Sequence, residues 1–286
     1  MATIHITKGH DLVLAGTPEK SLNELDAPKK IKIVPDDFHG IKPKLLVKEG
    51  DDVSIGDKLF FDKNNPDVFF CSSASGKIEE INLGPRRKLE YIQISNENND
   101  YSYSKEDITS QKMERDSIID TLLEHGLWPF LRQKPYDIIA NPEDNPKAIF
   151  ISSFSSSPLA TDNDFALYGL DELFQVGLDK ITKLTTGITH LNVDGNTIPS
   201  KVFTSAKGVQ INKVSGPHPS GNVGIQIHHI DPINKGDVVW YLNPQDVISI
   251  GRLFIEGKAD FSRIVSLSGS MVSKPVSYTH LTLPTS

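Results

Sequence analysis

The sequence predicts an α/β protein of more than one domain, a small all-β unit followed by a parallel sheet wrapped in helices. Three observations carry this. Residues 1–100 hold short apolar runs separated by Gly, Pro and Asp turns, with no 3.6-residue period. Beyond residue 112, short buried-type strands alternate with helical patterns of ordinary length. The chain has 286 residues, room for two domains of usual size.

The β unit reads as strands at residues 31–34, 45–47, 58–61, 68–71, 77–81 and 91–94. Polar residues 96–112 (NENNDYSYSKEDITSQK) read as a linker. A helix follows, with Asp116 or Ser117 as its cap, an apolar stripe of Ile118, Ile119, Leu122 and Leu123, and Gly126 as its stop. Ala148–Ser152 (AIFIS) reads as a strand buried on both faces. Residues 165–184 show helical spacing through Leu167, Leu170, Leu173, Phe174, Leu178 and Ile181, with Gly187 as a stop signal. Strands are expected at 190–193, 201–203 and 238–242, and a short helix or strand at 247–254. This alternation implies a doubly wound parallel sheet.

Composition narrows the function. The net charge of −7 argues against binding the phosphate backbone of nucleic acid or adsorbing to anionic lipid. One cysteine, Cys71, makes neither an internal disulfide nor a thiolate-ligated metal or iron–sulfur site, and fits a reducing compartment. In its apolar run it reads as buried and inert. No run of about 18 apolar residues is available to span a bilayer. The start of the chain lacks the apolar run of a signal peptide.

The most specific pattern is residues 45–81, LLVKEGDDVSIGDKLFFDKNNPDVFFCSSASGKIEEI. Its skeleton, V-x-x-G-D-x-V-x-x-G-D-x-L, then a hairpin, then S-G-x-I-x-x-I, is that of lipoyl and biotinyl carrier domains. Gly50–Asp51 and Gly56–Asp57 supply the turns. Val47, Val53 and Leu59 point into a small sandwich, and Gly76 lets the return strand bend. A carrier lysine would sit at the hairpin tip, near Lys63. A tip rebuilt with Asn64, Asn65 and Pro66 favours a solvated turn lysine over a lipoylated one.

Other constellations are weaker. Gly216–Gly224 (GPHPSGNVG) is glycine-rich, but G-x-G-x-x-G is absent and Pro217 and Pro219 remove amide donors a phosphate loop needs. Gly216, His218, Gly221, His228 and His229 are the ligand-binding candidates. A metal site is not expected, because adjacent histidines on a strand, as His228 and His229 are read, face opposite sides. The serine-rich loop 152–157 follows a parallel strand, where ligands gather. It lacks the G-x-S-x-G elbow of a hydrolase. Trp128 and Phe130 read as core or interface anchors. No catalytic acid, base or nucleophile stands out.

Several segments match one family together: KGHDLVLAGTP (8–18), DKLFFDKNNPDVFF (57–70), GLWPFLRQKP (126–135), PKAIFISSFSSSPLAT (146–161), GPHPSGNVGIQIHH (216–229) and WYLNPQDVISIGRLFIEG (240–257). From Ile4 to about Pro275 the chain resembles the NqrA family, the A subunits of the Na⁺-translocating NADH:quinone reductases. The resemblance implies a lipoyl-like module, a Rossmann-like domain, then a β-grasp (SLBB-type) module. It implies a peripheral subunit on the cytoplasmic face of the bacterial inner membrane, docked on the adjacent membrane-embedded subunit, without catalysis of its own. It also implies no resident cofactor, with flavins and an iron–sulfur centre in partner subunits and ubiquinone as a ligand. The expected domains are 1–100, 101–258 and the start of the β-grasp module at 259–275. Residues 276–286 (VSYTHLTLPTS) read as an adapter-derived tail on a truncated chain. The C subunit of Rnf-type complexes is the alternative; the GPHP segment and the lack of a flavin-type glycine loop separate it. A non-enzymatic lipoyl-like binding module is a third reading.

Overall fold

The computed structural model describes residues 2–14, 20–97, 100–102, 108, 114–268 and 276–282. The chain starts outside the barrel it goes on to build. Strand β1 (Thr3–His5) joins the large sheet of the second unit, and β2 (Leu22–Glu24) pairs near the chain's end.

The barrel follows. Strands β3 (Lys30–Ile33), β4 (Pro43–Leu45), β5 (Asp52–Val53), β6 (Lys58–Asp62), β7 (Asn65–Cys71), β8 (Gly76–Leu83) and β9 (Leu89–Ser95) meet each run expected in this region, although β3 stops before residue 34 and β4 reaches only the first residue of the 45–47 run. They form two antiparallel sheets, β3-β9-β8-β5 and β4-β6-β7. Leu59, Phe60, Val68, Phe70, Ile78, Ile92 and Ile94 fill the space between them. Phe60 and Phe70 stack at 4.6 Å, and Phe38 meets Phe70 edge-on at 4.6 Å. The two Gly–Asp pairs work as a unit. Gly50 and Gly56 hold φ of 88° and 97°, and each aspartate accepts a hydrogen bond from the amide three residues back, Lys48 to Asp51 (3.0 Å) and Ser54 to Asp57 (2.7 Å).

The β6–β7 tip corrects the sequence reading. It is a two-residue turn, with Asp62 paired to Asn65 and Lys63 and Asn64 making the bend. Asn65 and Pro66 belong to β7. Buried Asp62 tightens the bend by accepting from the amides of Lys42 (2.8 Å) and Asn64 (3.0 Å). Lys63 is exposed at the tip.

Of the expected linker, residues 98–99, 103–107 and 109–112 lie outside the described residues; Asp100 lies on the barrel, its carbonyl accepting from Ile55 N (2.8 Å). Helix α1 (Arg115–Glu124) buries Ile118, Ile119 and Leu122. Its cap position is Glu114, so Asp116 and Ser117 lie inside the first turn instead of before it.

The second unit runs β10 (Arg132–Lys134), β11 (Ile138–Ile139), β12 (Ala148–Ser152), α2 (Asn163–Ala166), α3 (Asp171–Ile181), β13 (Ile188–Asp194), α4 (Lys201–Thr204), β14 (Gln210–Ser215), α5 (Val223–Ile230), β15 (Val239–Leu242) and α6 (Pro244–Glu256). One seven-stranded sheet results, β1-β14-β13-β12-β15-β10-β11. The five strands from β1 to β15 are parallel; β10 and β11 continue it antiparallel. Helices cover both faces, which is why AIFI has no polar alternation. Ala148 and Phe150 pack with Ile227 of α5, while Ile149 and Ile151 belong to the core shared with α3 and α6.

Three local expectations give way here, and one left open between helix and strand resolves to helix. Residues 201–203 are helix α4, because Ser200 caps them by accepting from Val202 N. The helix read over 165–184 is broken: α2 ends at Ala166, Gly169 turns at φ 82°, and α3 starts at Asp171. His228 and His229 lie on helix α5, opened by Asn222, whose side chain accepts from Gly224 N. Residues 247–254 are helical, because Asn243 and Asp246 form a reciprocal capping box with Pro244 at the first position.

α3 and α6 touch backbone to backbone. A Cβ on Gly177 would stand 2.1 Å from the carbonyl oxygen of Val247, and one on Gly251 would stand 1.9 Å from that of Leu173. The barrel and the sheet share one apolar core through α1, Leu127, Trp128 and Leu131. Trp128 meets Trp240 edge-on at 5.5 Å, and both indole N–H groups are bonded, to Ala140 O and Gln133 Oε1. Buried Cys71 faces this joint; burial pushes its thiol up to about 12, so it stays protonated.

After α6, β16 (Ser262–Leu267) pairs antiparallel with β17 (Val276–Thr282), which pairs parallel with β2. The backbone of 276–282, expected to be a foreign tail, is thus extended and paired. Residues 269–275 and 283–286 lie outside the described residues.

Gly251→Ala should destabilise the chain by roughly 2–4 kcal/mol, because neither backbone can yield to the added methyl without parting the helices. Urea unfolding checks this; a change below about 0.5 kcal/mol would contradict the packing described.

Candidate functional site

The strand order reverses between β12 and β15. From β12 the sheet grows outward through β13 and β14 on one side, and through β15 on the other. The loops leaving these two strands therefore part, and their carboxyl ends open a gap. That gap is a crevice of about 390 Å³. Ser152, Ser155, Thr161 and Asn163 line it from the β12 side, Gly221 and Val223 from the start of α5, Asn243 and Gln245 from the start of α6, and Arg263 and Ile264 from β16.

Beneath it runs a chain of buried amides. Gln226 of α5 donates to Ser152 Oγ (2.9 Å) and to the carbonyl of Ser220 (2.9 Å), and accepts from Asn192 (2.8 Å). Asn192 accepts from Asn212 (2.9 Å), whose Nδ2 also lies 3.2 Å from His190 Nδ1. Asn192, Asn212, Ser220 and Gln226 are fully buried. Ser152 in turn donates to Phe154 O (2.9 Å), so its hydroxyl is aimed by the chain. His190 stacks on Phe150 at 4.5 Å; its Nε2 is buried without a partner among the described residues. Burial holds its basicity below the ordinary 6.5, so it is neutral.

The opposite wall is an ion pair and an amide clamp. Arg263 bonds Asp246 (2.6 Å) and Ser249 (3.0 Å) and lies over the Phe130 ring at 4.4 Å. Burial raises the Asp246 carboxyl, against the pull of Arg263 and of the Asn243 amide it accepts from. The Gln245 side chain pairs twice with the backbone of Ile264, donating to its carbonyl (2.9 Å) and accepting from its amide (2.8 Å). β16 is thus fastened to the start of α6.

Of the residues singled out from sequence as ligand-binding candidates, Gly221 alone lines the crevice. Its amide donates to Ser156 Oγ (2.8 Å), and a Cβ there would stand 2.2 Å from Ser156 N, so the 216–222 and 153–157 loops meet at backbone distance. His218 is behind that contact, Nδ1 3.0 Å from Ser156 Oγ, its backbone tied to Asp11 and His10. Gly216 abuts Ile6 O of the strand β1 extension. His228 and His229 are exposed, roughly 8 Å further along α5 from its crevice end. Their rings meet at 5.1 Å, and His229 bonds back to Ile225 O. Sequence reasoning missed Asn243, Gln245 and Arg263. Asn243-x-x-Asp246 was legible as a capping box; Arg263 carried no local signal.

The fold and crevice define a class: a barrel-sandwich unit joined to an α/β sheet, with an open crevice at the strand-order reversal. Two family models match, the NqrA N-terminal barrel-sandwich hybrid domain over residues 4–97 and the NqrA second alpha/beta domain over residues 113–259. The chain belongs to the NqrA family. Relatives named as the A subunit of Na(+)-translocating NADH-quinone reductase include one from Yersinia pseudotuberculosis serotype O:1b, 37% identical over 278 residues, covering 96% of this chain and 61% of that protein. One from Marinomonas sp. (strain MWYL1) is 36% identical over 275 residues, covering 94% and 60%. One from Vibrio atlanticus is 33% identical over 276 residues, covering 95% and 61%. The chain thus spans about three-fifths of the length of these relatives. None of these three is a C subunit of an Rnf-type complex.

Gln226→Leu should cost about 2–4 kcal/mol, since it takes the Gln226 partner from the buried Asn192 Nδ2 and from the Ser220 carbonyl. A loss under about 1 kcal/mol in thermal or urea unfolding would show that the chain is not the tie described. His190 sets a pH dependence. Its folded basicity lies below 6.5, so the unfolded state takes up a proton the folded state refuses, and stability falls as pH drops through about 6.5. His190→Gln should flatten that limb of the stability–pH curve.

Proposed function

We propose that this chain carries the first two domains of the A subunit of a Na⁺-translocating NADH-quinone reductase, and that the switch-point crevice is its quinone-contacting site. The complex would pass electrons from NADH to quinone and export Na⁺. This polypeptide would hold no flavin or iron–sulfur centre, sitting on the cytoplasmic face against the membrane-embedded subunit. Among the described residues no helix is long and apolar enough to cross a membrane. The relatives' shared name and the family match support the assignment. In this reading the sheet is Rossmann-like and β16 opens a β-grasp module.

The observation that carries the site is its lining. A quinone head is planar, neutral and rich in acceptors. Phe154, Leu242, Val223 and Ile264 offer apolar walls. The Ser155 hydroxyl accepts from Ser157 N (3.2 Å) and keeps its proton for a ligand carbonyl. A phosphate finds little here. Pro244 and the Asp246 carboxylate close the α6 terminus, and Arg263 is spent on Asp246 and Ser249. That favours a quinone over a flavin phosphate.

The purified chain should be colourless, and ubiquinone-1 should quench its tryptophan fluorescence, which comes from Trp128 and Trp240 together. Ser155→Trp, which fills the crevice, should weaken binding at least tenfold as measured by calorimetry. Stoichiometric flavin would refute the cofactor reading; unchanged affinity in Ser155→Trp would move the quinone elsewhere. An intact mass equal to the unmodified chain would dispose of acylation at Lys63.

A further inference from the structure

The β8–β9 hairpin turns through Gly84, Pro85, Arg86, Arg87 and Lys88. Gly84 N donates to Lys88 O (2.8 Å) and Lys88 N to Pro85 O (3.2 Å), so the turn is closed by its own backbone. Both arginines stand in the left-handed region, with φ of 57° and 60°. Two successive L-residues other than glycine or asparagine rarely occupy it, because Cβ crowds the carbonyl oxygen. Residues 85–88 are all exposed. Lys88 is paired with Asp36, but neither arginine side chain has an ion pair or hydrogen bond among the described residues. Leu83 beside them is 42% exposed. Nothing within the hairpin's own interactions accounts for arginine at either strained position.

We propose that this dibasic hairpin tip is a docking point for an acidic protein surface, with Leu83 as its apolar anchor. Arginine presents a planar fork of donors that suits carboxylates, and arginine beside an exposed apolar side chain is the composition of interface hot spots. A lipid surface fits less well. Two arginines supply weak adsorption, and a chain of net charge −7 is repelled by anionic headgroups. The partner's identity rests on the proposed place of this chain in the reductase: it is another subunit of that complex.

The test is Arg86→Asn with Arg87→Gly, made in the full-length protein co-expressed with the remaining subunits. These residues tolerate the left-handed backbone and remove both charges. The melting temperature of the isolated protein should rise by about 2–4 °C. Its co-purification with the membrane subunits should fall at least about tenfold, while Arg86→Lys with Arg87→Lys should retain part of it. Co-purification of the neutral variant at the wild-type level would overturn the proposal alone. Failure of the wild type itself to co-purify would overturn the reductase assignment and this proposal with it. Charge-dependent binding to phosphatidylcholine vesicles containing about a third phosphatidylglycerol, without any such effect on co-purification, would assign the tip to lipid and overturn it too.

Discussion

The crevice depends on a rule about polar groups in an apolar interior: each must find a partner or the fold loses its stabilisation. Gln226 meets that demand for three neighbours at once. It bonds the last residue of β12, a side chain of β13 and a backbone carbonyl of the loop after β14. Those contacts fix where three separate loops leave the sheet. The helix that carries Gln226 starts at the crevice, so the position of the α5 terminus and the direction of the Ser152 hydroxyl are set by one side chain. A sheet held by apolar packing alone would leave these loops free to choose among several exits.

The barrel was largely legible from residues 45–81; the second unit was legible in its main strands and parallel pairing but not in several helix assignments, for a physical reason. Within residues 45–81 each Gly–Asp pair closes its own turn with a local side-chain bond, and β6 pairs with β7 through a tight hairpin. The information sits within a few residues. The tip at Lys63 was misjudged because its tightness comes from Asp62 reaching the amide of Lys42, twenty positions away. In the α/β unit, strand and helix were confused wherever a cap decided the matter. Ser200 and Asn222 each turn an apolar stretch into a helix with one hydrogen bond, and the Asn243–Asp246 capping box does so with a reciprocal pair.

The candidate site was legible in its chemistry and hidden in its geometry. The loop at 152–157 and the glycine at 221 were found because small and hydroxylic residues after a strand have a local meaning. Asn243, Gln245 and Arg263 join them only because β15 lies next to β12, a pairing across about ninety residues. His228 and His229 drew notice as a doublet, yet helix α5 carries them away from the gap that its other end borders.

The glycine contact between α3 and α6 has a mechanical consequence. With Gly177 and Gly251 at backbone distance, the two helices cannot slide or rock past each other without collision, and they move as one slab. The wall of the crevice formed by the α6 terminus is therefore stationary. The wall formed by β16 is held differently, by the amide of Gln245, the guanidinium of Arg263 and the Thr161 hydroxyl. Polar fastenings of this sort release and re-form more readily than interlocked backbones. Any widening of the gap therefore comes more readily from the strand side than from the α6 terminus.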